Sequence, residues 1–304
     1  NEYLEFYKYF KNFNAQLTHS NQILSNTDKK YEFKKFKTQL LMNKNAGSGK
    51  STGYLDIINK RKVLLVSGSG HILYFDIKNL NNKNFKLNYV DSNLTNLIKD
   101  EEFYKTSTVG IRGIKYDSDT EYLYISYSNK IDTDCYNLTV LRAKFNPDYL
   151  LFEDFLNPSE CFSLKKSKYN AFSTGQSGGR IVKYKDNKII VTVGSHNAAS
   201  LVQDKSSIFG KILMVDNEKN YQIYSLGHRN PQGLFYDIEN DSILETEHGP
   251  KGGDEINMII KGKNYGWPYA SYGSHYKGKK SVFYEDFPLP KPHSPKFEEP
   301  IFYF

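Results

Sequence analysis

What most restricts this chain is a recurring unit: a short apolar run, a tight polar turn, then another short apolar run. It stands at residues 62–75, 109–127, 178–194 and 233–247. The turns are Gly68 to Gly70, Asp117 to Thr120, Asp186-Asn187 and Asn240-Asp241, residue types that take up the tight backbone conformations a hairpin needs. The runs are too short for helices and rich in Ile, Val, Leu and Tyr, as strands of a packed sheet are. Further strands are expected at 138–145, 209–216 and 221–225, and no stretch carries the period and length of a long amphipathic helix. An all-β chain follows, as a propeller, a sandwich or a barrel. A parallel sheet covered by helices is excluded.

The 304 residues suit one large β domain. Residues 1–30 read as an N-terminal extension, with Tyr3, Phe6, Tyr7, Tyr9 and Phe10 on one face of a short helix, and 31–304 as the β domain. A formal net charge of +7 is spread along the chain. Nucleic-acid binding needs a concentrated basic stripe, so that class is excluded. No run of about 18 apolar residues exists to span a membrane. Residues 46–51 read AGSGKS, but a phosphate loop would need glycine at position 44, where Lys44 stands, so this is a glycine-serine turn. Cys135 and Cys161 fit no metal spacing. They are either one disulfide in an exported chain or two buried thiols. No signal-peptide pattern opens the numbering, and removal of one beforehand is compatible with that. Asn93-Leu94-Thr95 and Asn137-Leu138-Thr139 match the glycosylation acceptor pattern, which matters only in a eukaryotic secretory host.

The stretch 227–268 is the densest in signals. It holds 7 glycines and 3 prolines around a hairpin in which Phe235-Tyr236 and Ile243-Leu244 flank the Asn240-Asp241 turn. Arg229, Asn230 and Gln232 form one polar group at its ends, and Glu247, Asp254, Glu255 and Asn257 form another. Polar loops held on a rigid β scaffold are a common way to build a site, although turn-rich surface connections look similar.

GHRNPQG at 227–233, GP-x-GGDEIN at 249–257 and KNYGWP at 263–268 resemble, in order and spacing, the soluble PQQ-dependent sugar dehydrogenases, the glucose/sorbosone dehydrogenase family. GIRGIKYDSDTEYLYISYS at 110–128 and GGRIV at 178–182 resemble two further family segments. The resemblance implies a six-bladed β-propeller with PQQ over the mouth of the central channel, held partly by calcium. About five blades' worth of family sequence is present, so the chain is expected to lack its last blade, with the basic residues that neutralise the cofactor's carboxylates there.

The resemblance also implies roles. Arg229, Asn230 and Gln232 stand at cofactor-contacting positions, and Thr108 stands where the family has a cofactor-facing glutamine. Gly249 and Pro250 would offer backbone oxygens to the cofactor-linked calcium. Glu255 and the Tyr265 carbonyl would hold a second, structural calcium, in keeping with the oxygen ligands that ion takes. Asp254 matches an acidic residue beside the catalytic base. The base is a histidine four residues before the arginine of the GGRIV-like segment. Here Arg180 is that arginine and Gln176 holds the histidine's place. An amide has no useful pKa and cannot take a proton. His196 is the candidate surrogate, and His228 and His248 read as structural. Two functions are expected. The first is PQQ- and calcium-dependent oxidation of an aldose to a lactone, in the periplasm or outside the cell, passing electrons to an acceptor. The alternative is a catalytically silent propeller that binds a sugar, a quinone or a protein.

Overall fold

The computed structural model describes residues 18–26, 29–37, 53–82, 87–105, 110–163, 174–274, 292–293 and 295–304. Residues 3–10, the 46–51 turn and Thr108 lie outside the described residues. The chain divides into two compact units, Asn1–Ile111 with Ala143–Phe152, and Arg112–Arg142 with Glu153–Phe304.

In the first unit, β1 (Thr18–Asn26) and β2 (Lys29–Lys37) form an antiparallel hairpin that crosses the boundary at residue 30. β3 (Gly53–Ile58), β4 (Lys62–Ser67), β5 (Ile72–Asp76) and β6 (Asn88–Ser92) follow as an antiparallel meander. Asn59 and Lys60, at φ 52° and 60°, make the turn between β3 and β4. Two positive-φ residues in a row match the right-handed twist of the strands they join. Leu64, Val66, Ile72, Leu73 and Val90 fill the interior.

The second unit is a succession of antiparallel sheets. The first contains β7 (Ile111–Tyr116), β8 (Tyr122–Asp132) and β9 (Cys135–Lys144). β10 (Tyr149–Leu150) belongs to the first unit, parallel to β6, and β11 (Glu153–Leu156) returns to pair with β9. β12 (Phe162–Ser163) also pairs with β9, and beside it Cys135 and Cys161 are joined as a disulfide with Cα atoms 5.4 Å apart. That decides between the two cysteine readings. Closing a loop of this length restricts the unfolded chain and stabilises the fold by about 3 kcal/mol. The second sheet is β13 (Gly178–Lys183), β14 (Ile189–Val193), β15 (Lys211–Val215) and β16 (Tyr221–Leu226). The third is β17 (Pro231–Asp237), β18 (Ser242–Glu247), β19 (Glu255–Ile259) and β20 (Phe302–Tyr303).

The middle sheet is apolar on both faces. Ile189, Val191 and Val193 of β14, with Leu213 and Val215 of β15, pack against Tyr124, Leu138, Val140 and Phe155. The alternate residues Ile190, Ile212 and Met214 pack the other way, against Ile243, Ile259 and Tyr265 of the third sheet and its following loop. Side chains alternate across a strand, so a run such as Ile-Ile-Val feeds two cores at once. Each such side chain contributes about 1.5–3 kcal/mol on burial.

The first strands of the three sheets lie close together. Ser126 Oγ donates to Gly179 O, and Arg180 donates through Nε to Gln232 O and through Nη1 to Arg112 O. A Cβ on Gly113 would sit 2.2 Å from Gly179 O, and one on Gly179, at φ +94°, 2.3 Å from Arg112 Cβ. Only glycine permits this approach of β7 to β13.

Helix is confined to short pieces among the described residues, Leu94–Leu97, Glu101–Lys105 and Ala199–Val202, with 3₁₀ turns besides. None of these is long and apolar enough to cross a membrane. The architecture is mostly β, in sheets of four and five strands, as expected from the recurring hairpins.

Candidate functional site

The loop before β17, the loop between β18 and β19, and residues 263–271 are wired together through the backbone. His248 N donates to Asn230 O, Trp267 N to Gly227 O and Tyr265 N to Leu226 O. The end of the chain closes over this region, with Gly253 N donating to Phe304 O and Phe304 N to Asp254 O. A cavity of about 600 Å³ opens here, lined by Arg180, Gln232, Thr246, Glu247, His248, Asp254, Glu255, Ile256 and Phe304.

Arg229 is half-buried. Its Nη1 donates to His248 O at 2.9 Å and Gly249 O at 2.6 Å, its backbone N donates to Glu247 Oε2 at 2.6 Å, and its guanidinium lies 5.3 Å from the Trp267 ring. Asn230 is buried, and its Oδ1 accepts no hydrogen bond. Gln232 reaches the cavity, with Nε2 3.4 Å from Gly175 O. Gly249 and Pro250 are both buried. Asp254 accepts from Gly249 N at 2.9 Å through Oδ1 and from His248 Nδ1 at 3.0 Å through Oδ2. His248 and Asp254 are roughly half exposed. Tyr265 is buried, donates its hydroxyl to Met258 O at 2.6 Å, and stacks on the His228 ring with centroids 4.8 Å apart.

Gln176 is not on the cavity wall. Its Oε1 accepts from Ser195 Oγ at 3.0 Å, and its carbonyl accepts from His196 N. His196 is fully buried, edge-on to Phe209 with centroids 5.5 Å apart. Burial first, and the Arg112 charge second, lower its pKa to about 3. It is a core residue and does not act as a surrogate base.

The least legible part of the site is a buried carboxylate array. In the β18–β19 register Glu245 faces Asn257 and Glu247 faces Glu255. Residues two apart on a strand share a face, so all four side chains meet. Asn257 Nδ2 donates to Glu245 Oε2 at 3.1 Å and to Glu247 Oε1 at 3.3 Å. None of the four is more than 6% exposed. Burial, then the Glu247 charge, push Glu255 up to about 9 and raise Glu245 well above the usual carboxylate range. A void of about 10 Å³, the size of a single water or ion, is lined by Arg229, Glu247, Gly249, Glu255 and Tyr265 among others. The ETE and EIN triplets carry the pattern, but alternation alone does not tell a buried polar face from a solvated one.

Residues 57–304 match the family model described as Glucose / Sorbosone dehydrogenase. Over 123 residues the chain is 36% identical to the aldose sugar dehydrogenase YliI of Escherichia coli, a stretch that covers 36% of this chain and 33% of that protein. Over 127 residues it is 33% identical to quinoprotein glucose dehydrogenase B of Acinetobacter calcoaceticus, covering 32% of this chain and 26% of that one. The matched stretch thus spans a third or less of these relatives. The structure of the PQQ-bound aldose sugar dehydrogenase of Streptomyces coelicolor superposes with a TM-score of 0.60 at 19% identity, covering 94% of this chain and 72% of that one. At that identity the likeness speaks to the fold. The family model spans most of the chain, and the 227–268 motifs fall inside it: the chain belongs to the Glucose / Sorbosone dehydrogenase family.

Proposed function

We propose that this chain forms most of a six-bladed propeller that binds PQQ and oxidises an aldose to its lactone. The observation that carries the proposal is the cavity of about 600 Å³ where Arg180, Gln232, His248 and Asp254 converge. Its size fits a cofactor, with the Arg180 guanidinium, the Gln232 amide and the His248 imidazole as donors, and because Glu247, Asp254 and Glu255 also line it, an anionic cofactor would be held on the Arg180 side. PQQ supplies the two-electron acceptor when bound. Arg180 and Gln232, on the cavity wall, would hold and orient it, and Arg229 would act from behind by fixing the His248–Gly249 backbone. The acceptor of those electrons and the identity of the sugar belong to the same proposal. The disulfide supports a periplasmic or secreted location, since such bonds persist in oxidising compartments.

The two calcium positions differ in fit. The Gly249 carbonyl accepts Arg229 Nη1 at 2.6 Å, so a cation there would face a guanidinium, and no step is derived through it. Glu247 and Glu255 at the small void fit a cation better: the Arg229 guanidinium borders that void too, but two buried carboxylates stand against it.

Loss of the substrate hydroxyl proton needs a base that Gln176 cannot be. His248 is the one imidazole on the cavity wall among the described residues. With Nδ1–H donating to Asp254 Oδ2, its Nε2 is left as the proton acceptor, and Asp254 orients the ring and stabilises the imidazolium. The second reading, a silent binder, is favoured by Gln176 itself.

Aldose-driven dye reduction with added PQQ and calcium, beside calorimetric PQQ binding, separates the two. The first reading expects His248→Ala to bind PQQ normally and to turn over about 10²–10⁴-fold more slowly. PQQ binding with no turnover in the unaltered chain establishes the silent binder, and no PQQ binding overturns the first reading and leaves the silent propeller a sugar or a protein to bind.

A further inference from the structure

We propose that His228, Glu245 and Glu247 form a site for a first-row divalent metal ion of the zinc or manganese type. One ligand atom from each lies within 4.8 Å of the other two, and all three residues are buried. Three observations point inward. His228 Nδ1 makes no hydrogen bond, although the residue is 0% exposed, and it lies 3.5 Å from Glu247 Oε1. Glu245 Oε1 is likewise without a partner at 0% exposure. The remaining atoms of the set are already engaged in the way that fixes ligands. His228 Nε2 pairs with Ser225 Oγ at 2.8 Å, Glu247 Oε2 accepts from Arg229 N, and Asn257 Nδ2 bridges Glu245 Oε2 and Glu247 Oε1. A hydroxyl or carbonyl on the far nitrogen is how a metal-bound imidazole is usually oriented.

The chemistry of the set selects the ion. One imidazole and two carboxylates suit zinc, manganese or iron, whereas calcium prefers oxygen alone. A dication cancels the two carboxylate charges, which burial otherwise makes costly. Ligands at about 2.0–2.2 Å from a tetrahedral ion lie roughly 3.4 Å apart, so the side chains close by about an ångström on binding. The set shares only Glu247 with the lining of the small void beside Glu255. The inference is independent of the sugar-oxidation proposal and survives its failure.

The test uses the full chain, free of PQQ, stripped with a chelator and then saturated with calcium to fill oxygen sites. Calorimetric titration with zinc, and separately with manganese, is expected to show one equivalent bound. X-ray absorption at the zinc edge is expected to report one imidazole nitrogen among oxygen ligands. Glu245→Gln, nearly isosteric and safe for folding, is expected to weaken binding by about 100-fold or more, and Ser225→Ala by about 10-fold. No uptake of either ion overturns the proposal, as does uptake that Glu245→Gln leaves unchanged. A Glu245→Gln protein that gains thermal stability while the parent takes up no metal identifies the cluster as held by a proton instead.

Discussion

The β13–β16 and β17–β20 sheets share one topology, four antiparallel strands in sequence order, yet they fill their interiors in opposite ways. Every residue of β14 and β15 is buried, and seven of the ten are Ile, Val or Leu. The facing strands of the next sheet, β18 and β19, bury three glutamates and an asparagine instead. The first sheet is stabilised by burial alone, and Lys211, its one buried charge, donates to the carbonyls of Leu201, Val202 and Phe209. The second carries charge that burial opposes, so its stability depends on what occupies it. The candidate site thus sits on the sheet that burial favours less, beside an apolar neighbour that braces it.

The largest expected effect separates the two sheets by mutation. Leu213→Ala removes a fully buried side chain from the apolar core and is expected to cost about 2–5 kcal/mol in urea unfolding. Glu245→Gln in metal-free protein removes only a buried carboxyl and is expected to cost less than about 1 kcal/mol or to stabilise. The reverse ranking would break the comparison.

The next effect is a pH dependence with a worked sign. Burial and the Glu247 charge push the Glu255 carboxyl up to about 9 in the folded chain, against an ordinary value of 4.5. Between those values the folded state holds a proton that the unfolded state has released. Stability of the metal-free protein therefore falls as pH rises from 4.5 towards 9, by about 1.4 kcal/mol per pH unit for each such proton. Denaturant titrations at several pH values are expected to show this slope, and Glu255→Gln to flatten it. Hydrogen exchange sharpens the contrast, because the amides of β18 and β19 are expected to lose protection with rising pH before those of β14 and β15.

A smaller effect of opposite sign sits at the β7–β8 turn. Burial pushes the Asp117 carboxyl up, but Lys183, Thr120 and the Asp119 N–H outweigh it and hold its pKa below the ordinary value. That contribution is present above the unfolded pKa of 3.8 and is lost as pH falls through the lower folded value. Asp117→Asn is expected to cost about 1.5 kcal/mol at pH 7, and the difference should vanish in strong acid.

Much of this was legible beforehand. Asp186 and Asn187 take positive φ between β13 and β14, and Asp241 does so between β17 and β18, where the sequence places turns. Arg229 and Glu255 emerged from motif spacing as site residues, and the structure puts both beside Glu247. Two things were hidden. Glu245 shares a face with Ile243, and only the packing of sheets shows that this face is buried while Thr246 and Met258 on the other are exposed. His248 and Asp254 look like separate loop residues, because their pairing depends on the loop 248–254 folding back on itself. His196 differs the other way: as a candidate surrogate base it would have to reach the cavity, yet it sits at φ 50° inside the core.

The central claim is that the carboxylates of β18 and β19 are a cation site, not a solvated or proton-held face. Its most direct test is the unfolding of chelator-stripped protein at pH 8 with and without calcium. A cation that binds only the folded chain at a hundred times its Kd is expected to add about 2.7 kcal/mol and to raise the midpoint accordingly. Glu255→Gln is expected to remove that rise. An identical midpoint with and without calcium would contradict the account.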